Sequence, residues 1–217
     1  MSHITLIRHG QANSQALTEE EYDRLSALGH QQAGWLGEHL RHTGQHHVRL
    51  YTGTLQRHAE TAASMATGMT PVADPRLNEL QYFNLSQALE REHGVPAPEG
   101  PEDFAAHLPR VFAAWSEGRL ESAPESFQSF ETRVGDAIRE IADGEGAALV
   151  VTSGGLISMV MRQVLALDIH SMAHLALAIM NTSVHRLFPI GGRLTPVMFN
   201  AVPHLEHPDR HHAQTHV

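Results

Sequence analysis

Ala147-Ala148-Leu149-Val150-Val151-Thr152, running into Ser153-Gly154-Gly155, is the stretch that decides the fold. Six residues without a charge, the last three β-branched, read as a strand. A strand that is apolar on successive residues is covered on both faces, as in the middle of a parallel sheet. Ser153-Gly154-Gly155 ends it, and an apolar helix follows from about Leu156 to Leu167, its methionines reading as core filler. Working outward, Ile4-Thr5-Leu6-Ile7 reads as a second buried strand and Val48-Arg49-Leu50-Tyr51 as a third, with short strands at Pro71-Val72-Ala73, about 183–188 and about 194–199. Helical spacing predicts helices over about 27–42, 55–67, 102–117 and 126–141. Strands alternating with helices predict an α/β layered fold. Between Leu85 and Pro124 the prolines and glycines cluster (Pro96, Pro98, Pro101, Gly94, Gly100), and we expect an inserted, loop-rich, lid-like subdomain over 84–124. The division expected is one domain over 1–205 and a loose, His-rich tail over 206–217.

Composition narrows the chemistry. The chain has 217 residues, with 41% hydrophobic and 18% charged, enough to build a packed core. Fifteen basic residues, all of them Arg, stand against 24 acidic ones, for a formal charge of −9. That balance disfavours nucleic-acid and anionic-membrane partners. The absence of Lys excludes a Lys Schiff base and a phosphate-loop Lys. The absence of Cys excludes disulfides, thiolate nucleophiles, thiolate-bound zinc and iron–sulfur clusters. Met1 to Gly10 carries no secretory pattern, and the expected location is cytoplasmic.

The strand ends hold the reactive residue types. In open α/β sheets ligands bind beyond the carboxyl ends of the strands. The first strand ends in Arg8-His9-Gly10 and the strongest in Ser153-Gly154-Gly155 at a helix start, where free N–H groups favour an anion. Arg-His occurs four times, at 8, 41, 57 and 210, but only the first pair ends a predicted strand and precedes a Gly. Arg57 falls in the first turn of a helix after a strand. Leu77-Asn78-Glu79-Leu80 places a carboxylate after a short apolar run. An imidazole, two guanidinium forks and a carboxyl form a set suited to phosphoryl transfer.

Here the chain resembles the histidine phosphatase superfamily, also called the phosphoglycerate mutase family. The resemblance runs in order through Leu6-Ile7-Arg8-His9-Gly10-Gln11-Ala12-Asn13, Leu28-Gly29-His30-Gln31-Gln32-Ala33, Thr52-Gly53-Thr54-Leu55-Gln56-Arg57-His58-Ala59-Glu60-Thr61-Ala62, and Leu77-Asn78-Glu79-Leu80. It continues through Ser126-Phe127, Arg133-Val134, Asn181-Thr182-Ser183, Phe199-Asn200 and His204-Leu205. It implies a three-layer α/β/α fold with a mostly parallel mixed sheet and a helical insertion over the site. It also implies His9 as nucleophile and Glu79 as proton donor. Arg8, Arg57, Asn13, Ser153 and Gly154 would meet the phosphoryl group of a small phosphorylated substrate, with no metal and no organic cofactor. Oligomeric state stays open, a homodimer included.

The chain departs from the resemblance at Ser153, where the family carries a second His. Three explanations stand side by side: a phosphatase in which water or a nearby His fills the gap, a non-catalytic phosphate-ester binder, or an engineered change. His185 is one such nearby candidate. A phosphoglycerate-type mutase is the less favoured activity, because the insertion looks short and open-ended. The tail histidines His204, His207, His211, His212 and His216 include a helix-compatible triplet that suggests a metal, but they read as a loose tail.

Overall fold

The computed structural model describes residues 3–13, 15–44 and 46–216. Strands β1 (Ile4–Arg8), β2 (Arg49–Thr52), β3 (Pro71–Ala73), β4 (Ala148–Thr152), β5 (Val184–Ile190) and β6 (Arg193–Ala201) form a single sheet in the order β3-β2-β4-β1-β5-β6. The first four lie parallel; β5 runs antiparallel to β1 and β6 to β5. This is the expected mostly parallel mixed sheet, and β4 sits inside it, between β2 and β1.

The two-faced burial follows from the alternation of side chains along a strand. Ile4, Leu6, Ala148 and Val150 share a core with α5 (Pro101–Ser116), α6 (Phe127–Asp143) and α7 (Gly154–Leu165). Ile7, Leu50, Leu149 and Val151 point the other way, onto Ala33, Leu36 and Leu40 of α2 (Ala27–His42) and Ala62 and Met65 of α3 (Gln56–Met65). Helices on both sides complete the α/β/α layers. No helix among the described residues is long and apolar enough to cross a membrane.

Three helices escape the sequence patterns: α1 (Glu19–Tyr22), α4 (Tyr82–His93) and α8 (Ile169–Ala178). The expectation of a loop-rich 84–124 segment is corrected. α4 and α5 fill most of it, and Leu85, Leu89, Leu108, Phe112 and Trp115 join the main core. Gly94 caps α4 with φ 69° and Pro101 opens α5, so these residues bound helices.

The loose tail is also corrected. Residues 203–205 and 208–213 form 3-10 turns, and Leu205 and Ala213 are buried with Val202. Gln32 donates to the Ala213 carbonyl (2.7 Å), and Asn181 N–H donates to that of Thr215 (2.8 Å). These bonds satisfy backbone groups that a loose tail would leave to water. The helical spacing proposed for His211, His212 and His216 does not exist, because the 3-10 turn ends at Ala213. His204 bonds Thr182, His211 faces the Glu206 carbonyl and His216 the Ala178 carbonyl, so these rings diverge.

Candidate active site

The carboxyl ends of β1 and β4 open into a cavity of about 440 Å³ lined by Arg8, His9, Asn13, Arg57, Glu79 and Gly154, among others. Gly10 shows why the first motif carries a glycine: a Cβ there would stand 2.4 Å from the Gly29 carbonyl oxygen, and one on Gly29 would stand 2.1 Å from that of Gln11. The loop after β1 therefore lies directly on α2. That contact fixes the backbone of His9.

His9 is buried, with Nδ1 2.7 Å from the Gly10 carbonyl. A carbonyl only accepts, so Nδ1 carries the proton and Nε2 keeps its lone pair. Burial lowers the His9 pKa well below the usual histidine value, and the nearby Arg57, Arg8 and His58 lower it further. The ring is neutral, as a nucleophile requires.

Arg57 sits in the first turn of α3 and is held from outside that helix. Asp23 Oδ1 accepts from both its backbone N–H and Nη1 (3.1 Å each), Asp23 Oδ2 accepts from Gln56 N–H (3.0 Å), and the Tyr22 ring lies 5.0 Å from the guanidinium. One carboxylate thus caps α3 and aims the arginine. Arg8 donates Nη1 to the carbonyls of Ile179 and His216, so the ordered tail reaches the cavity. The Nε atoms of both arginines have no hydrogen-bond partner among the described residues.

Glu79 accepts from Leu80 N–H through Oε1 and from Gly155 N–H through Oε2 (3.0 Å each). Its segment is anchored from two sides: Thr152 Oγ1 donates to the Leu77 carbonyl, and Arg133 Nη1 donates to those of Arg76 and Asn78. Asn13 lines the cavity, but its amide is occupied within its own loop, donating to the Glu21 carbonyl and accepting from Gln15 N–H. Ser153 is fully buried behind the cavity wall, its Oγ 2.6 Å from His58 Nε2. His185 does not fill the place beside Ser153. It is buried on β5 with Nε2 on Ser183 and Nδ1 accepting from Asn200 N–H, outside the cavity lining.

Sequence reasoning missed Glu19, Tyr22, Asp23 and His58. Glu19 lines the cavity, accepts from Phe83 N–H, and has its pKa raised by burial to about 7. Its only sequence signal is a run of three acids that reads as solvated surface. Much of the remaining wall is apolar and aromatic, with Tyr82, Phe83, Phe104, Leu108, Phe112 and Leu177, beside the polar Gln15, Glu99 and His216. Among the described residues, the arginines of the lining are Arg8 and Arg57.

A sequence profile of the histidine phosphatase superfamily (branch 1) matches residues 4–202. No curated protein sequence matches the chain. Among solved structures, a phosphoserine phosphatase mutant (H9A) from Entamoeba histolytica, in complex with phosphoserine, superposes with TM-score 0.71 at 17% identity, covering 94% of this chain and 100% of that one. A phosphoglycerate mutase from Bacillus anthracis gives 0.68 at 22%, covering 94% of each. A mycobacterial glucosyl-3-phosphoglycerate phosphatase gives 0.65 at 22%, covering 92% of this chain and 98% of that one. At such identities the likeness is one of fold.

Proposed function

The chain belongs to the histidine phosphatase superfamily, and from that premise we propose that it hydrolyses a small phosphate monoester through a phosphohistidine at His9. The observation that carries this reading is one cavity lined by two arginines and by a buried His9 whose Nδ1 is bound to the Gly10 carbonyl and whose pKa is held low. Nε2 attacks phosphorus, the guanidinium groups take up charge on the equatorial oxygens, and Glu79 protonates the leaving oxygen. Water then displaces the phosphoryl group from His9.

The wall indicates what the ester carries. With both arginines committed to the phosphoryl group, no further arginine of the described lining remains for a carboxylate or a second phosphate on the substrate, and His216 stands in that place. The aromatic and aliphatic side chains suit an uncharged, apolar leaving group. This disfavours a phosphoglycerate mutase, whose substrate carries a second anion. A cytoplasmic location and the absence of a nucleic-acid or membrane partner belong to the same reading, on the −9 charge and the lack of Cys.

The test is phosphate release from aryl and short-chain alkyl phosphates. The native chain should turn over both and accumulate acid-labile phosphohistidine; His9→Ala should lose at least about 10³-fold in kcat. Equal rates in the two proteins would leave a phosphate-ester binder. A second reading of the acid has its own observation: Glu19, with its pKa near 7, holds a proton near neutrality as a donor must. The variant, Glu79→Gln or Glu19→Gln, that slows alkyl esters more than p-nitrophenyl phosphate, whose leaving group needs no proton, identifies the donor.

A further inference from the structure

Two buried amides stand between the nucleophile loop and residues 213–216, and the reaction above uses neither. Gln32 of α2 and Asn181, between α8 and β5, are 0% and 1% exposed. Gln32 is the polar member of the buried stripe of α2, among Gly29, Ala33, Leu36, Gly37 and Leu40. Its Oε1 accepts from Gln11 N–H (2.8 Å), and its Nε2 donates to the Ala213 carbonyl (2.7 Å) and to Thr215 Oγ1 (3.0 Å). Asn181 Nδ2 donates to the His9 carbonyl (3.3 Å), and its Oδ1 accepts from Thr215 Oγ1 (2.8 Å). Its backbone N–H donates to the Thr215 carbonyl (2.8 Å). Each amide holds the nucleophile loop with one end and Thr215 with the other.

These contacts bear on the nucleophile through planar peptide units. Gln11 N–H and the Gly10 carbonyl are the two ends of one peptide, and His9 Nδ1 donates to that carbonyl (2.7 Å). Fixing the N–H fixes the direction of the carbonyl, and with it the ring. The preceding peptide, the His9 carbonyl with Gly10 N–H, is held by Asn181 Nδ2 at one end and by Thr61 Oγ1 at the other (3.0 Å). Carbonyls only accept, so Ala213 sets the Gln32 amide with Oε1 toward the loop, and His9 sets the Asn181 amide with Oδ1 toward Thr215. The single Thr215 hydroxyl proton then goes to Asn181 as a Gln32 N–H comes in. Every polar atom of the two amide side chains has a partner, and a buried polar cluster satisfied in this way specifies one arrangement. The next residue, His216, gives its carbonyl to Arg8 Nη1. Residues 213–216 lie beyond the 4–202 that the family profile matches.

We propose that Thr215 is a positioning residue for the nucleophile: it sets Gln32 and Asn181, which hold the two peptides around Gly10 and so the direction of the His9 ring. Thr215 lies outside the cavity lining and acts through these amides alone. A reacting group displaced by a fraction of an ångström loses its line of attack on phosphorus, which is how a hydroxyl away from the cavity reaches the rate. This inference rests on the phosphatase reading for its kinetics but not for its exchange measurement.

Thr215→Val keeps the shape and loses the hydroxyl. It should lower kcat at least about tenfold, with KM changed less than about threefold because the lining is untouched. Thr215→Ser, which keeps the hydroxyl, should stay within about threefold of native kcat. Gln214→Ala removes a bond inside the same segment, from Gln214 Nε2 to the Leu205 carbonyl (3.0 Å), and should keep the native kcat even where it lowers the Tm. A smaller loss in Thr215→Val, no recovery in Thr215→Ser, or a matching loss in Gln214→Ala would overturn the proposal. Amide hydrogen exchange reads the same link without any substrate. The Gln11 amide should exchange at least about tenfold faster in Thr215→Val than in the native chain, and an unchanged rate would overturn the link. Should the valine variant fail to fold, the native chain carries the measurement: the Gln11 and Asn181 amides, both closed by this cluster, should open together, with one dependence on denaturant. Opening of Asn181 while Gln11 stays protected would overturn the coupling. A native chain that releases no phosphate from any ester, while its Gln11 exchange still accelerates in Thr215→Val, would reject the phosphatase reading alone.

Discussion

At the residue scale, Gly154 and Gly155 look alike in sequence and differ in what surrounds them. A Cβ on Gly154 would meet Arg8 Nε at 3.6 Å, an ordinary contact, but one on Gly155 would stand 2.4 Å from Glu79 Oε1 and 2.7 Å from a Leu80 methyl. Gly155 is thus the seat of the proposed acid, touching its carboxylate through N–H and through the absence of a side chain. Gly154→Ala should leave kcat within about threefold of native. Gly155→Ala should displace Glu79 and cost about 10- to 10²-fold on alkyl phosphates, the range for losing a positioned general acid. Equal effects of the two alanines would show that Glu79 does not depend on that seat. The sequence made Glu79 legible but not this dependence, because a steric exclusion between residues 76 positions apart leaves no local pattern.

At the element scale, α6 acts as a clamp on the acid segment. Arg133 reaches from the middle of the helix, bonds Glu125 through Nε and Nη2, and gives Nη1 to the carbonyls of Arg76 and Asn78, on either side of Leu77. Arg133→Met keeps the stem and loses the fork. It should cost about 1 kcal/mol in urea unfolding, by leaving two part-buried carbonyls without a donor, and lower kcat on alkyl esters. An unchanged unfolding midpoint would deny the clamp. Elements with a strong period were readable from sequence. α2 was expected at 27–42 and is found there, and every predicted strand is present within a few residues. α4 was hidden because its Leu85, Ala88 and Leu89 stripe lies between the motif segment and a cluster of prolines and glycines, which read as loop. The tail was hidden because its order comes from long-range bonds to Gln32 and Asn181. The site divides in the same way. Arg8, His9, Arg57 and Glu79 sit in contiguous motifs and were legible; Asp23 and His58 matter through partners 34 and 95 positions away, and were not.

At the scale of the whole molecule, the 18 histidines fall into two populations with opposite consequences for pH. Most are on the surface. Seven described ones, His39 and His107 among them, have their pKa lowered, mainly by desolvation. Burial lowers His185 and His204 to about 3 and His47 to about 4, and His9 and His58 are also lowered, in each case mainly by desolvation. A histidine whose folded pKa lies below its unfolded value of about 6.5 contributes stability that is fully present above pH 6.5 and is lost as pH falls toward the folded value, because only the unfolded chain takes up the proton. Glu19 works the other way. Raised to about 7, its neutral form is favoured in the fold, so its contribution is present below about pH 4.5 and is lost as pH rises to 7. The lowered histidines outweigh this one carboxyl between pH 6.5 and 4. At pH 5.5 each unfolded histidine binds about 0.9 of a proton, so each adds a slope of roughly 1.2 kcal/mol per pH unit. The Tm should therefore fall steeply from pH 7 to pH 5. Unfolding at pH 5.5 should take up several protons, measured as the buffer-dependent part of the calorimetric enthalpy. The double variant His185→Gln/His204→Gln should take up about two fewer protons and show a shallower fall of Tm with pH, at the cost of lower stability at pH 7. A Tm independent of pH between 7 and 5, or unfolding without proton uptake, would mean that the interior histidines are charged in the fold. His9 could not then be the ready nucleophile that the phosphatase reading requires.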